Sequence, residues 1–226
     1  TETKVAKCYS EQPFPNILQR SSDPDVALQT IATWFRSNLS CLGVDLSTYA
    51  PKSMLIAGCG TGEEAICLSR VFPNAAILAV DITDASLAIA GRNLAMMGVR
   101  NVTLRRMSII EDLPKEREQF DLVFCSGVVH HLSSPEQGFS NLVDRVSPGG
   151  RLIISLYNSY GLFIYRVQLS VLDAIAGDDF ERRKQWALRL RFVGRDNPVI
   201  LYDGYVHPKV GTFSISTVND WGRRNG

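Results

Sequence analysis

The sequence predicts a doubly wound α/β sheet with an N-terminal helical lid and a C-terminal helical region. Three observations predict it: five short β-rich apolar runs, helical periodicity between them, and a glycine-rich turn where the first run gives way to the first helical stretch. The runs are Ser53–Ala57, Ala76–Val80, Val102–Arg106, Leu122–Ser126 and Arg151–Leu156. They are nearly continuous apolar stretches or are bounded by turn residues, as expected of strands buried on both faces. Strands alternating with helices imply right-handed crossovers and a parallel sheet.

The helical elements follow in order. Ala65, Leu68 and Phe72 share one face, as do Leu87, Gly91, Leu94 and Met97 on the next segment. Phe139, Leu142, Val143 and Val146 repeat the pattern, with Pro135 after Ser134 as the start and Gly149-Gly150 after the end. Ahead of this core, Asp23-Pro24 opens an amphipathic helix with Leu28, Ile31, Ala32, Phe35 and Leu39 on one face, and Thr1–Ser22 reads as an arm or lid. Behind it, Leu162–Ile175 and Phe180–Val193 read as two helices, Asn197–Ser214 as short β or irregular chain, and a capped helix starts near Ser216. The chain thus divides into a lid region at 1–50, a core at 51–158 and a third region at 159–226.

Composition narrows the function classes. The 226 residues are 45% hydrophobic and 21% charged with a net charge of +1, which excludes wholesale disorder and leaves no broad basic face for a nucleic-acid backbone. No apolar run reaches the roughly 18 residues of a membrane helix, and with Thr-Glu-Thr-Lys at the start no secretory leader is expected. Cys8, Cys41, Cys59, Cys67 and Cys125 are odd in number and never spaced as C-x-x-C, so the expectation is small buried thiols in the cytoplasm, with no metal site and no membrane partner.

The chemistry concentrates at Met54-Leu-Ile-Ala-Gly-Cys-Gly-Thr-Gly62-Glu63, an apolar strand entering a G-x-G-x-G turn. Glycines let the backbone turn sharply and let a ligand approach without a Cβ in the way. At the carboxyl edge of the first strand this is the topological switch point of the sheet. Asp81 ends the second strand 19 residues after Gly62, where an acid holds a ribose through its hydroxyls. A dinucleotide site favours G-x-G-x-x-G; here the third glycine is one residue early, and Glu63-Glu64 would repel a pyrophosphate. Two carboxylates at that helix start suit a cationic ligand instead, such as an amino-acid sulfonium.

Over Lys52–Tyr157 these residues resemble the class I S-adenosylmethionine-dependent methyltransferases, small-molecule type, with their Rossmann-like sheet. The resemblance rests on Ala57-Gly-Cys-Gly-Thr-Gly62, Asp81, Phe120-Asp-Leu-Val-Phe-Cys-Ser126, Gly127-Val-Val-His-His-Leu132 and Ser147-Pro-Gly-Gly-Arg-Leu152. It implies a donor, S-adenosyl-L-methionine leaving as S-adenosyl-L-homocysteine, lying over Ala57, Gly58, Cys59, Gly60 and Gly62, with the ribose on Asp81 beside Ile82. Its adenine would be covered by Ser108 and Ile109, and its methionine part would meet Ser126 and Gly127. Many relatives carry an acid two residues before the first glycine, where this chain has Ile56; Glu63 is the residue expected to meet the ammonium in its place.

The resemblance further implies a His-His loop at the mouth of the acceptor pocket. His131 or His130 is the candidate base or acceptor-positioning group, with packing as the other role, and His207 is a second base candidate. Phe14 in Gln12-Pro-Phe-Pro15 resembles the lid of some bacterial small-molecule members. Tyr157, Asn158, Tyr160 and Tyr205 are the remaining acceptor contacts expected. The basic stretch Arg182–Arg191 reads as a solvated face, with Trp186, Leu190 and Val193 packing inward. The expected reaction is methyl transfer to O or N of a small molecule, the alternative being a non-catalytic interaction module on the same fold. No N-P-P-Y-like tetrad for a flipped base is present, so nucleic acid is not the expected acceptor. The sheet of such enzymes ends in an antiparallel pair, expected here either from the segment after Pro198 or not at all.

Overall fold

A computed structural model of the chain describes residues 2–11, 13–20, 23, 26–27, 29–33, 37, 49–190, 201, 205 and 210–225. Five parallel strands form one sheet in the order β3-β2-β1-β4-β5. They are β1 (Ser53–Ala57), β2 (Ala76–Asp81), β3 (Val102–Arg106), β4 (Phe120–Ser126) and β5 (Val146–Ser155). Helices α1 (Glu2–Glu11) and α2 (Ile17–Arg20) precede the sheet, and α3 (Glu63–Val71), α4 (Asp84–Met96) and α5 (Pro135–Val143) alternate with its strands. Helices α6 (Phe163–Ala176), α7 (Phe180–Arg189) and α8 (Ile215–Asn225) follow. The doubly wound order reverses between β1 and β4, which opens a crevice at the carboxyl edge there.

Alternate residues of the central strands feed opposite cores, as a period of two requires. Met54 and Ile56 of β1, Ile77 of β2 and Leu122 of β4 face a core closed by Ala65, Ile66 and Leu68 of α3 and by Ile31. Leu55, Ala57, Val80, Val123 and Cys125 face the other core, closed by Leu142 of α5 and by Met107, Ile109 and Leu113. Met54, Leu55 and Ile56 are fully buried, each contributing roughly 1.5–3 kcal/mol of transfer free energy. A third cluster joins Leu169 and Leu172 of α6 to Ala187, Leu201 and Tyr205.

Several boundaries move from the sequence expectation. β5 begins at Val146, not Arg151, because Val146 pairs with Phe120 and the register then shifts; Arg151 resumes opposite Leu122 with the Ser147–Gly150 turn looped out inside the strand. α5 accordingly ends at Val143, and Val146 belongs to the sheet. Residues 26–27 and 29–33 are helical, with Ala27 N bonded to Asp23 O; Leu28, Phe35 and Leu39 lie outside the described residues, as does Val193. In α7 the fully buried residues are Arg183 and Ala187, and Trp186 packs partly buried against the third cluster as expected, whereas Leu190 is 39% exposed; the solvated-face expectation fails for Arg183. That guanidinium bonds Asp173 Oδ1 (2.5 Å), Gly177 O (2.9 Å) and Tyr205 O (3.1 Å), satisfying carbonyls at and beyond the end of α6. Among the described residues no antiparallel pair completes the sheet; Phe213 instead bridges Asn158 in parallel.

Opposite the crevice, Asp121 clamps the entry to β1. Its carboxylate accepts from Lys52 N (2.7 Å), Ser53 N (3.1 Å) and Ser147 Oγ (3.3 Å), and its carbonyl from the Tyr49 hydroxyl. The two backbone donors hold its carboxyl below the ordinary 3.8. A lowered acid contributes stability above its unfolded value and loses it as pH falls. Asp121→Ala should therefore cost about 1–3 kcal/mol at pH 7, some degrees of Tm at roughly 2–4 °C per kcal/mol. Thermal denaturation should show the difference from wild type shrinking as the pH falls through the Asp121 range.

Candidate functional site

β1 carries Ala57 to the carboxyl edge, where Gly58, Gly60 and Gly62 adopt φ of 79°, 52° and 91°. A Cβ on Gly58 would collide with Val128 Cγ2, and one on Gly60 with the carbonyl oxygen of Phe14. The glycines are thus needed for contacts within the protein: the loop after β4 presses on one and the N-terminal segment lies on the other. Gly58 N and Cys59 N both donate to Val80 O (2.8 and 2.9 Å), hooking the turn to the end of β2, and Gly62 N donates to Cys59 O (2.9 Å) as α3 begins.

Asp81 gathers the turn from the next strand. Its Oδ2 accepts from Gly60 N (2.9 Å), and its Oδ1 from Thr83 N (2.9 Å) and Thr83 Oγ1 (3.0 Å). Burial pushes its carboxyl above the ordinary value, and those bonds oppose the shift. Thr83 is also the N-cap of α4, accepting from Ser86 N. Ile82, beside it, accepts from Arg106 Nε through its carbonyl (3.2 Å).

Glu63 and Glu64 diverge, as neighbours on a helix must. Glu63 is 2% exposed; its Oε1 accepts from Ile17 N (2.8 Å) and its Oε2 from Thr61 Oγ1 (2.5 Å). Asn16 N donates to Thr61 Oγ1 and Thr61 N to Phe14 O, so Glu63 and Thr61 fasten the N-terminal segment to the turn. This differs from the expected ammonium contact: both oxygens of Glu63 already hold that clasp.

Glu64 reaches instead to the end of β4. It takes a hydrogen bond from the Ser126 side chain, and its charge is felt by Cys59 on the turn and Cys125 on β4. Burial, reinforced by Glu63, pushes its carboxyl up from 4.5 to about 8. Sequence spacing marks a pair of acids suited to a cationic ligand; the helix rotation that separates Glu63 from Glu64 appears only in three dimensions.

The other donor candidates line the same edge. Ser126 ends β4, and Gly127 turns the chain off it with φ 71°. After β3, Ser108 Oγ accepts from Ile110 N and Glu111 N, Asp112 accepts from Ser108 N (2.9 Å), and Asn141 donates to Ile109 O (2.8 Å). Asp112 and Asn141 went unnoticed in the sequence; they order this turn, and the Ser108 N–H holds the Asp112 carboxyl low.

The acceptor candidates form an aromatic run. His130 and His131 are 1% and 2% exposed, with ring centroids 4.2 Å apart. His130 stacks on Tyr157 at 3.9 Å and 19°, while His131 meets Tyr157 and Tyr9 edge-on at 6.4 and 6.3 Å. Tyr165 links Tyr157 to Tyr205, whose hydroxyl donates to Gln168 (2.8 Å) within the third core. Asn158 Oδ1 caps its own turn by accepting from Tyr160 N and Gly161 N, and Tyr160 is 82% exposed, apart from the others. His207 lies outside the described residues. The segment 210–214 braces this half: Gly211 N donates to His130 O (2.7 Å) and Phe213 N to Tyr157 O (2.8 Å).

Glu64 also sets a pH signature. A raised acid contributes stability that is complete below its ordinary 4.5 and is lost as pH rises to about 8. Glu64→Gln removes that loss, so calorimetric melts should show its Tm gaining on wild type between pH 5 and pH 9.

Residues 54–150 match the family model described as a methyltransferase domain. Over 193 residues the chain is 28% identical to an uncharacterised protein of Synechococcus sp., covering 74% of this chain and 45% of that protein. It is 29% identical to the ubiquinone biosynthesis O-methyltransferase of Acinetobacter baumannii over 59% of this chain and 53% of that one. The chain thus spans about half the length of these curated relatives. Its fold is shared with the magnesium protoporphyrin IX methyltransferase of Synechocystis, solved with bound S-adenosylhomocysteine: TM-score 0.61 and 17% identity, over 100% of this chain and 89% of that one. Residues 54–150 thus resemble a methyltransferase domain, and the doubly wound sheet that carries them has the fold of the Synechocystis enzyme.

Proposed function

We propose that this protein transfers a methyl group from S-adenosylmethionine to an oxygen or nitrogen of a small-molecule acceptor. The observation that carries this reading is the left-handed turn at the β1–β4 crevice with one carboxylate on each side, Asp81 over β2 and Glu64 toward β4. That donor set fits a ligand with a diol at one end and a cationic amino acid at the other. Asp81 would bind the ribose, whose hydroxyls replace the Thr83 hydroxyl on the carboxylate. Ser108, Ile109 and Ile82 would flank the adenine, and Ser126 and Gly127 the amino-acid end. The donor supplies a methyl already activated by its sulfonium, so the protein has to align the acceptor and exclude water.

The second half of the task falls to the aromatic run. His131 would orient the acceptor and take its proton. His130, stacked on Tyr157 and bonded through its carbonyl to Gly211, would hold the loop in place. Aromatic walls at Tyr157 and Tyr9 favour an acceptor with a flat, apolar body. The A. baumannii relative, named for ubiquinone biosynthesis, and the Synechocystis neighbour, named for magnesium protoporphyrin IX, both carry names of small molecules. The buried Cys59 and Cys125, neither in a disulfide, support a cytoplasmic setting, and no described helix is long and apolar enough to cross a membrane.

Titration calorimetry with S-adenosylhomocysteine tests the donor half. Micromolar binding to wild type should weaken ten- to a hundredfold in Asp81→Ala, since losing a charged partner costs roughly 1.5–3 kcal/mol. No binding by folded wild type would overturn the reading. Once an acceptor is found by screening, His131→Ala should lower kcat at least a hundredfold with donor affinity kept. His130→Ala should show chiefly as a lower Tm.

A further inference from the structure

We propose that the outer face of α6 is a self-pairing surface, on which a second copy of this chain docks its own α6 antiparallel across a two-fold axis. The helix is apolar on two sides. Its inner side carries Leu169, Leu172 and Ala176, all buried, with Tyr165 packed against the third cluster. Its outer side carries Ile164, Val167, Val171 and Ala174, all exposed, Ile164 at 71%. Tyr160, 82% exposed in the turn that leads into the helix, and Phe163, 65% exposed, lengthen the same stripe. A helix that is apolar on opposite sides is normally covered on both. The outer side stands open in the single chain.

The spacing points to the occupant. Tyr160, Ile164, Val167, Val171 and Ala174 recur at steps of four and three, the seam by which one helix accepts another of the same repeat. Ile164, Val167 and Val171 are β-branched and stiff, so pairing costs little side-chain freedom. With Phe163 the stripe exposes apolar area on the order of 600 Å², at the top of the range for a monomer patch and, with its rim, near the roughly 800 Å² per partner of a standard interface. Charge fixes the direction. Arg166 and Asp173, the charged residues of α6, lie seven residues apart on one rim of the stripe. Asp173 bonds Arg183 through Oδ1 and still keeps a side chain 66% exposed. Helices paired antiparallel about a point near Ser170 bring each Arg166 beside the partner's Asp173. Parallel pairing sets that rim against the other one, where Gln168 and Ile175 carry no charge. A membrane surface calls for Lys and Arg along the polar flanks; one cation and one anion on this helix suit its own copy.

Sedimentation velocity of the chain, loaded from about 1 to 100 μM, should show a concentration-dependent shift towards twice 25.0 kDa. Val167→Glu puts an unpaired charge at the centre of the stripe and should weaken association at least a hundredfold. Its far-UV circular dichroism should match wild type, because that side chain is half exposed in the single chain. Cross-linking gives a second reading, with copper phenanthroline as oxidant. Ser170→Cys, beside the two-fold axis, should yield a disulfide-linked dimer on a non-reducing gel well beyond that of wild type, and Tyr160→Cys, at the far end of the stripe, should not. A wild type that stays monomeric at the highest loading would overturn the proposal, and its sedimenting with phosphatidylserine vesicles instead would assign the face to a membrane surface. A dimer indifferent to Val167→Glu would place the interface elsewhere on the molecule. Cross-linking through Tyr160→Cys in preference to Ser170→Cys would overturn the antiparallel arrangement.

Discussion

The turn from Gly58 to Gly62 is held by chain from four places. The Phe14 carbonyl lies on Gly60 and receives Thr61 N; Val80 and Asp81 take three of the turn's N–H groups. Val128 closes over Gly58, and Asn93 of α4 donates to Thr61 O (2.9 Å). A backbone in the left-handed region persists where its surroundings over-determine it. Everything at the carboxyl edge takes its position from this turn: the direction of α3, hence the divergence of Glu63 and Glu64, and the seating of the N-terminal segment. The glycines serve protein–protein closeness first, and the ligand surface is what the packing leaves open.

The central strands and their flanking helices were legible in the sequence because burial on both sides of a sheet writes a simple pattern, and Met54–Ala57 carries it without interruption. Asp81 was legible as the acid ending a strand after a glycine turn. What was not legible depends on angle or on distance along the chain. Successive helix residues are about 100° apart, so whether Glu63 or Glu64 reaches β4 is a matter of helix orientation. Arg183 is hidden in a basic run, and only the turn between α6 and α7 makes it the residue that enters. The Ser147–Gly150 turn reads as a boundary but loops out of a strand that has already begun.

The two halves of the crevice are made differently. The proposed donor half is backbone hydrogen bonding with Asp81 at the end of β2 and Glu64 in the first turn of α3, which gives close placement with little adaptability. The proposed acceptor half is ring against ring, from Tyr9 through His131, His130 and Tyr157 to Tyr165. Such contacts tolerate changes of outline more readily than a hydrogen-bonded turn does, which suits a fold whose acceptor pockets vary on a shared frame.

The brace at Gly211 and Phe213 has a kinetic consequence. Phe213 reaches Tyr157 across about 55 residues and Gly211 reaches His130 across about 80, closures whose entropy grows only slowly with length but must precede any reward, as must the pairing of β1 with β4. Trp221 of α8, packed against both Phe139 and Phe213, holds that return against α5. Closures of this length slow folding, and the backbone under His130 and Tyr157 gains its bracing bonds only when the returning segment has docked.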